Sequence, residues 1–322
     1  ESSNIESKES LIEYKDIVMR GDIYNIIENK ELEVYYQTQV LINSSEIIGT
    51  ELLLRWNHPI WGLIYPVEFL EIAKETGMIF PIGSWVLSQI CKTYKEWLDK
   101  GYKNIDITVN LSSVQMTEKG FISELKEILK FYGLKPNFLI FEIKESMLLD
   151  ECQNIALDIN ELRSMGIRIA LGGFGTVYSS FYYLSTFDID ILKIDRFFIR
   201  KIKEGDRNKR LIKAMINFGE NLGIDIVSEG IETLEELLFL KMANCNLGQG
   251  YLYSKEVSQT VFEKILNKKI LIPRAIKASS KWEIENRRKF FRVEFTDYLE
   301  GDMKILEVQG MKLNLGSTPI LI

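Results

Sequence analysis

The stretch FLIFEIKESMLLDECQNIALDINELRSMGIRIAL, residues 138–171, decides the fold. Residues 138–143 and 167–171 are short apolar runs without strict alternation, which is typical of strands buried on both faces. Between them, residues 151–165 have the spacing of an amphipathic helix, and Gly166 ends that helix. A strand, a helix and a second strand in this order predict a βαβ unit with two parallel strands.

The same unit recurs on both sides of this stretch. Further strands are predicted at 105–110, 189–194, 224–227 and 247–252, and further helices at 84–100, 118–132, 207–222, 234–243 and 257–267. So many βα units in succession favour a TIM-like (β/α)8 barrel over an open sheet. Two strands around a turn at 43–45 open the series, so one antiparallel strand is expected.

The chain divides by pattern into three predicted parts. Residues 1–30 form a helical lead-in or linker, residues 31–268 form the barrel, and residues 269–322 form a linker and a truncated small β domain. We expect the chain to be a fragment of a longer protein, because it starts at Glu1 without an initiator Met.

Composition excludes several kinds of chemistry. The net charge of −6 argues against a partner that is a nucleic acid polymer, and His58 is the only histidine, which removes histidine-rich metal sites. Three scattered cysteines form neither a disulfide framework nor a zinc spacing, which predicts a cytoplasmic protein. No stretch has the roughly 20 apolar residues that span a bilayer, although a tether through a further N-terminal region is compatible with the sequence.

Polar residues stand where the predicted strands end. In barrels of this kind, active-site residues lie at the C-terminal ends of the strands. The candidates there are Glu51, Arg55, Asn110, Glu142, Lys193, Asp195, Glu229 and Gln249. A ring this rich in oxygen ligands is typical of Mg²⁺ or Mn²⁺ sites, and two such ions can clamp a phosphodiester and activate water.

A series of ordered motifs gives the ring a family context. They include VYYQ (34–37), ELLLRWNHP (51–59), VNLS (109–112), EIKE (142–145), LKIDR (192–196), SEGIET (228–233) and QGYL (249–252). Over about residues 31–255, the chain resembles the EAL-type cyclic di-GMP phosphodiesterases. The resemblance implies a barrel that binds cyclic di-GMP at its mouth.

The resemblance also implies roles for single residues. Glu51, Asn110, Glu142 and Glu229 would be metal ligands, and Lys193 and Glu51 would hold catalytic positions. Arg55 would bind a ligand phosphate, and Glu232 would hold the loop that follows residues 172–173, where the family has its aspartate pair. The implied ligand-binding set in the barrel is Gln37, Arg55, Asn110, Asp195, Glu232 and Gln249.

The departures from the family pattern concern the metals. The family has two adjacent aspartates where this chain has Gly172-Gly173, and the signature Glu-Ala-Leu is Glu51-Leu52-Leu53. Lys144 replaces a threonine beside Glu142, and Val177 replaces a glycine in the loop. We therefore predict an empty, vestigial metal site in which Lys193 pairs with one or more of the glutamates in place of ions.

The functional prediction is a degenerate, catalytically inactive EAL domain that acts as a cyclic di-GMP receptor and needs no cofactor. The alternatives are an active phosphodiesterase that uses Mg²⁺ or Mn²⁺, and a scaffold that binds protein partners without a ligand. An unidentified protein partner and a homodimer formed through the loop near Phe174 are also expected from the family pattern.

The tail carries a second resemblance. RRKFFRV, residues 287–293, resembles the arginine motif that opens PilZ domains, another class of cyclic di-GMP receptor. Arginine forks suit bidentate contact with phosphate. The resemblance implies ligand contacts from Arg287, Arg288 and Arg292, in a PilZ-like domain that is incomplete because the second PilZ motif is missing before Ile322.

Overall fold

The computed structural model describes residues 14–145, 152–175, 184 and 186–273, together with two short strands at 306–308 and 311–313. The chain consists of two compact units, Glu1–Arg274 and Ala275–Ile322. In the second unit, Leu306–Val308 pairs antiparallel with Met311–Leu313. These two strands fall within segments that the sequence predicts as β, and the rest of the predicted small domain lies outside the described residues.

The described residues of the first unit contain ten strands, eight of which close into a ring. The strands are β1 Leu32–Leu41, β2 Ile47–His58, β3 Gly62–Ile64, β4 Asp106–Asn110, β5 Leu139–Lys144, β6 Arg168–Phe174, β7 Ile191–Ile194, β8 Asp225–Ser228, β9 Leu247–Gln249 and β10 Val257–Ser258. Around the ring the order is β1-β2-β4-β5-β6-β7-β8-β9, and β9 pairs again with β1. β1 runs antiparallel to both neighbours, and the other ring pairs are parallel. The predicted TIM-like barrel with one antiparallel strand is confirmed.

Helices surround the ring. They span Pro66–Glu75, Ile79–Asp99, Ser113–Met116, Phe121–Tyr132, Cys152–Ser164, Arg196–Arg200, Asp206–Leu222, Leu234–Met242 and Gln259–Leu266, and residues 14–22 are also helical. The outward side chains of the strands pack against them. Tyr36 of β1, for example, is fully buried between Trp97 and Phe262, with ring centroids 5.6 Å from each. This apolar layer fixes which strand residues point inward, because side chains alternate along a strand.

The N-terminal helix lies against the barrel. Met19 on its apolar side is buried, and so are the side chains of Ile23 and Ile26, which follow the helix. The imidazole of His58, at the end of β2, lies 3.1 Å from the Asp22 carboxylate, and its Nδ1 accepts from the backbone of Ile60. The single histidine is therefore a structural residue that joins this helix to the first hairpin.

Several predicted boundaries differ from the structure for local reasons. The helix predicted from residue 84 begins at Ile79, because Pro81 lies in its first turn, where a missing N–H costs nothing. The helix predicted from residue 257 begins at Gln259, because Val257 and Ser258 pair with β1 as a short outer strand. Within the described residues, no helix is long and apolar enough to span a bilayer.

Candidate functional site

An apolar layer inside the barrel supports the candidate site. Ile140, Ala170, Ile191 and Val227 come from four consecutive parallel strands and form a buried cluster of their own, with Leu247 packed against it. Because side chains alternate across a strand, the next inward position on each strand lies two residues further along. Those positions are closer to the mouth, and they carry Glu142, Gly172, Lys193, Glu229 and Gln249.

Lys193 lies at the centre of these residues. Its Nζ is 2.8 Å from Glu51 Oε2 and 2.6 Å from Glu229 Oε1, and it also contacts Glu142 Oε2. The side chain is only 1% exposed, so the three ion pairs lie in a medium that screens them weakly. This is the pairing predicted from the sequence.

Two amides complete the hydrogen bonding of Glu51. Asn110 Nδ2 donates to Glu51 Oε1 at 2.9 Å, and Gln249 Nε2 donates to Glu51 Oε2 at 2.6 Å. Below them, Gln39 Nε2 donates to Gln249 Oε1 at 2.8 Å, which fixes the orientation of the Gln249 amide. We use the name carboxylate ring for Glu51, Asn110, Glu142, Lys193, Glu229 and Gln249.

The charges of the carboxylate ring are unequal. Burial raises the pKa of Glu142 to about 8, and burial raises the pKa of Glu229 as well. Burial also opposes ionisation of Glu51, but Lys193, Gln249 and Asn110 together hold the pKa of that carboxyl below its usual value. Burial opposes the charge of Lys193, yet the three carboxylates raise its pKa well above the ordinary value. Glu142 therefore keeps a proton more readily than Glu51 does, because three ionised carboxylates would carry more negative charge than one ammonium offsets.

Gly172 and Gly173 form a bulge in the wall of the site. Leu171 pairs with Leu192 and Phe174 pairs with Ile194, so both glycines lie opposite Lys193 alone. Gly173 has φ 72°, which is in the left-handed region that favours glycine. A Cβ at Gly172 would overlap Glu142 Oε1 and lie 3.0 Å from its carboxyl carbon. The bare backbone at 172 thus leaves the space that the Glu142 carboxylate occupies.

Arg55 lies further out along β2. Its guanidinium carbon is 4.6 Å from the ring centroid of Tyr65 and 5.5 Å from that of Tyr35. Its Nη2 lies 3.1 Å from Glu256 Oε1. Gln37, on the neighbouring strand, lies directly opposite Glu51 in the antiparallel register and so shares its inward face.

The remaining predicted residues occupy other positions. Asp195 caps the helix Arg196–Arg200, since its carboxylate accepts from Phe197 N at 2.7 Å. Glu232 accepts from Arg200 Nη2 at 2.7 Å. The loop that Glu232 is predicted to hold lies outside the described residues, as do Arg287, Arg288 and Arg292 and most of the loop named for a homodimer.

The sequence of nearly the whole barrel matches one known protein family. Residues 20–256, more than half of the chain, match the EAL domain. The chain belongs to the EAL domain family. One curated relative is the bifunctional diguanylate cyclase/cyclic di-GMP phosphodiesterase MucR of Pseudomonas aeruginosa. It is 37% identical over 234 residues, which cover 73% of this chain and 34% of MucR.

Solved structures of EAL domains are similar to this barrel. A structure described as PaMucR phosphodiesterase in complex with c-di-GMP is 35% identical, with a TM-score of 0.72 over 76% of this chain and 99% of that chain. The EAL enzyme Bd1971, in a form bound to cAMP and cyclic-di-GMP, is 32% identical, with a TM-score of 0.73 over 82% of this chain and 72% of that chain. This EAL domain spans about a third of the length of the curated relatives it matches.

Sequence reasoning missed two residues of this EAL domain's mouth. Gln39 lies near the C-terminal end of β1, but β1 runs antiparallel to its neighbours, so the rule that site residues stand at the C-terminal ends of parallel strands does not select it. No sequence pattern indicates Glu256, because its partner Arg55 is 201 positions away in sequence. The inward alternation of β1, with Gln37 and Gln39 two apart, is the signal that could have indicated Gln39.

Proposed function

We propose that this EAL domain binds cyclic di-GMP at the barrel mouth and hydrolyses it slowly or not at all. The observation that carries the proposal is the glycine at the inward position of β6, between Glu142 of β5 and Lys193 of β7. Six polar residues of the carboxylate ring are present around it. The family resemblance requires two carboxylates at 172 and 173, and glycine offers no side-chain oxygen.

The donor set fits one divalent ion and not two. Glu51, Glu142 and Glu229 have carboxylate oxygens within 4.8 Å of one another, and such oxygens suit Mg²⁺ or Mn²⁺. These three residues, with the amide of Asn110 nearby, would hold a single ion, which would polarise a phosphoryl oxygen. A second ion has no carboxylate to hold it on β6.

The expected consequence is a loss of rate. The chain's own groups can bind and orient a phosphodiester. The ammonium of Lys193, however, is held by three carboxylates, so it has no free electron pair with which to accept a proton from water. Metal-ion catalysis contributes several kcal/mol of transition-state stabilisation. A loss of about 4 kcal/mol lowers the rate about a thousandfold.

Binding depends less on ions. Arg55 supplies a buried guanidinium, and its neighbours Tyr35 and Tyr65 supply aromatic faces at the same end of the barrel. Arginine suits phosphate, and flat aromatic rings suit a purine base. The relatives with solved structures that bind c-di-GMP support this ligand class.

Calorimetry and a turnover assay test the proposal. We expect heat of binding for cyclic di-GMP without divalent ions, and release of the linear dinucleotide with Mg²⁺ or Mn²⁺ at least about a thousandfold below enzymatic rates. Metal-dependent release of the linear dinucleotide at enzymatic rates would establish the active phosphodiesterase instead. Neither heat nor turnover would favour the protein-binding scaffold.

Restoring the aspartates tests the role of the glycines. We expect the double variant Gly172→Asp with Gly173→Asp to gain metal-dependent hydrolysis, and the matched variant Gly172→Ala with Gly173→Ala to gain none. Both variants must displace the Glu142 carboxylate and adopt a left-handed backbone at 173, so both should lose about 2 kcal/mol of unfolding free energy. Equal turnover in both variants would exclude a metal-binding role for the new carboxylates.

A contribution from the tail is a separate proposal. The motif at Arg287, Arg288 and Arg292 supports a second, PilZ-like contact with the same ligand, on the sequence resemblance alone.

A further inference from the structure

The guanidinium of Arg55 is buried but only partly hydrogen-bonded. The residue is 4% exposed. Its Nη1 donates to the backbone carbonyl of Leu54 at 2.8 Å, and its Nη2 donates to Glu256 Oε1 at 3.1 Å. Its Nε has no hydrogen-bond partner among the described residues. A buried donor without a partner costs free energy, so this position is suited to an incoming acceptor.

Glu256 is held against Arg55 by the outer strand β10. Val257 pairs with Tyr36 and Ser258 pairs with Tyr35. Continued by one residue, this antiparallel register brings Glu256 beside Gln37 of β1. The Glu256 side chain is 18% exposed, and the carboxylate also interacts with the hydroxyl of Tyr251, whose pKa is raised by burial and by that carboxylate. Glu256 is therefore a placed acceptor at the edge of the mouth.

The contact leaves half of one guanidinium edge unused. Nε and Nη2 form the edge that grips a phosphate or a carboxylate through two parallel hydrogen bonds. Glu256 takes only Nη2, through one oxygen. A phosphate that bonded both nitrogens would satisfy the unpartnered Nε, but it would bring its negative charge against the Glu256 carboxylate.

We propose that Glu256 sets the affinity of this EAL domain for its ligand by competing with a ligand phosphate for Arg55. Glu256 acts through Arg55 and is a positioning residue. The inference rests on the proposed function, because it requires an anionic ligand at the mouth. Glu256 thus weakens ligand binding and raises the ligand concentration at which the site fills.

Calorimetry with cyclic di-GMP on the full chain tests the proposal. We expect Glu256→Gln to bind about five- to tenfold more tightly than the unchanged chain, since one charge-assisted contact no longer has to be displaced. The matched control is Glu263→Gln. Glu263 also has 18% side-chain exposure and also forms an ion pair, with Lys100 at 2.7 Å, but it lies on the outer helix Gln259–Leu266. The control should change affinity less than twofold.

A second background separates competition from a general structural effect. Arg55→Lys keeps the positive charge but loses the Nε–Nη2 edge. Adding Glu256→Gln to Arg55→Lys should therefore give a gain of less than twofold. Added salt should also weaken binding more steeply in Glu256→Gln than in the unchanged chain, because salt screens the attraction of Arg55 for phosphate in both chains but screens an opposing repulsion by Glu256 only in the unchanged chain.

The outcomes are distinct. Binding by the unchanged chain, with equal or weaker binding by Glu256→Gln, would overturn the competition and leave the proposed function standing. A gain in Glu256→Gln that persists in full on the Arg55→Lys background would also overturn it. No binding by either chain would overturn the proposed function and the competition together.

Discussion

At the residue scale, Lys193 is the group on which three carboxylates converge, those of Glu51 and Glu142 buried and that of Glu229 partly exposed. Its ammonium contacts Glu51, Glu142 and Glu229 in a nearly closed environment. Removing one partner of a buried ion pair leaves an uncompensated charge, and that loss usually exceeds the net contribution of the intact pair. The ring is therefore sensitive to this one side chain, whatever its catalytic status.

Lys193→Met should destabilise the barrel by about 3 kcal/mol in urea unfolding at neutral pH. The matched control is Lys126→Met, which removes an exposed pair with Glu161 at 2.7 Å and should change the unfolding free energy by less than about 1 kcal/mol. Equal effects of the two substitutions would contradict the burial argument.

Metal addition should distinguish the same two variants. Without the ammonium, the carboxylates can offer their oxygens to a divalent ion, so Mn²⁺ should raise the melting temperature of Lys193→Met more than that of the unchanged chain or of Lys126→Met. A shift of equal size in all three proteins would show that the ion binds elsewhere.

At the element scale, a capping box begins the helix Leu234–Met242, which follows the strand end that carries Glu229. Thr233 Oγ1 accepts from Glu236 N at 3.3 Å, and Glu236 Oε2 accepts from the backbone N–H groups of Glu232 and Thr233 at 2.8 and 2.9 Å. Glu236 is only 1% exposed, which is unusual for a capping glutamate. This capping box fixes the backbone that links β8 and Glu229 to the helix.

Thr233→Ala should lower the unfolding free energy by about 1 kcal/mol, and Glu236→Ala should lower it further, because two buried backbone donors lose their acceptor. The control is Glu235→Ala, the exposed neighbour in the same helical turn, which should be close to neutral. Chemical denaturation of the three variants measures the differences. A loss at Glu235 as large as that at Glu236 would argue against the capping box.

The elements also show what the sequence could predict. Buried parallel strands are apolar runs, so β5, β6 and β7 and the helices between the barrel strands follow from residue patterns. The strands β3 and β10 are three and two residues long, too short to leave a pattern, and they form because β2 and β1 extend beyond the ring. Boundaries at such places depend on tertiary pairing.

In the site, too, some residues could be predicted from sequence patterns and others depend on tertiary pairing. Glu51, Glu142, Lys193 and Glu229 could be predicted because strand ends converge in a barrel and because their motifs resemble a family. Their hydrogen-bond partners could not. The sequence places Glu256 far from Arg55 and gives no sign that Gly172 leaves space for Glu142, because both facts depend on how the ring closes.

At the scale of the whole molecule, the packing of helices against the ring buries two thiols, those of Cys91 and Cys245. Burial raises the pKa of Cys91 to about 12 and that of Cys245 to about 11. A thiol with such a pKa holds little reactive thiolate at neutral pH. Cys91 lies in the helix Ile79–Asp99, and Cys245 lies just before β9, so the two report on separate parts of the barrel.

In a Cys152→Ser variant, a thiol reagent such as a disulfide dye should leave both cysteines unmodified for many minutes at pH 8 in native buffer. In denaturant, both should react at once, because the unfolded chain restores ordinary thiol acidity. Single replacements of Cys91 and Cys245 by Ser identify which thiol reacts. Fast modification under native conditions would mean that the barrel opens locally at that position.

The antiparallel direction of β1 has a mechanical consequence. A reversed first strand starts at the mouth, beside the end of β2, and runs down into the barrel. The helix at residues 14–22 and the bridge from Asp22 to His58 therefore lie near the open end, and only about 17 Å of strand connects Leu32 to Gln37, which lies opposite Glu51 of the carboxylate ring. A force applied to that helix would therefore act on the open end of the barrel before it reached the more distant strands, and it would act there on the proposed ligand site.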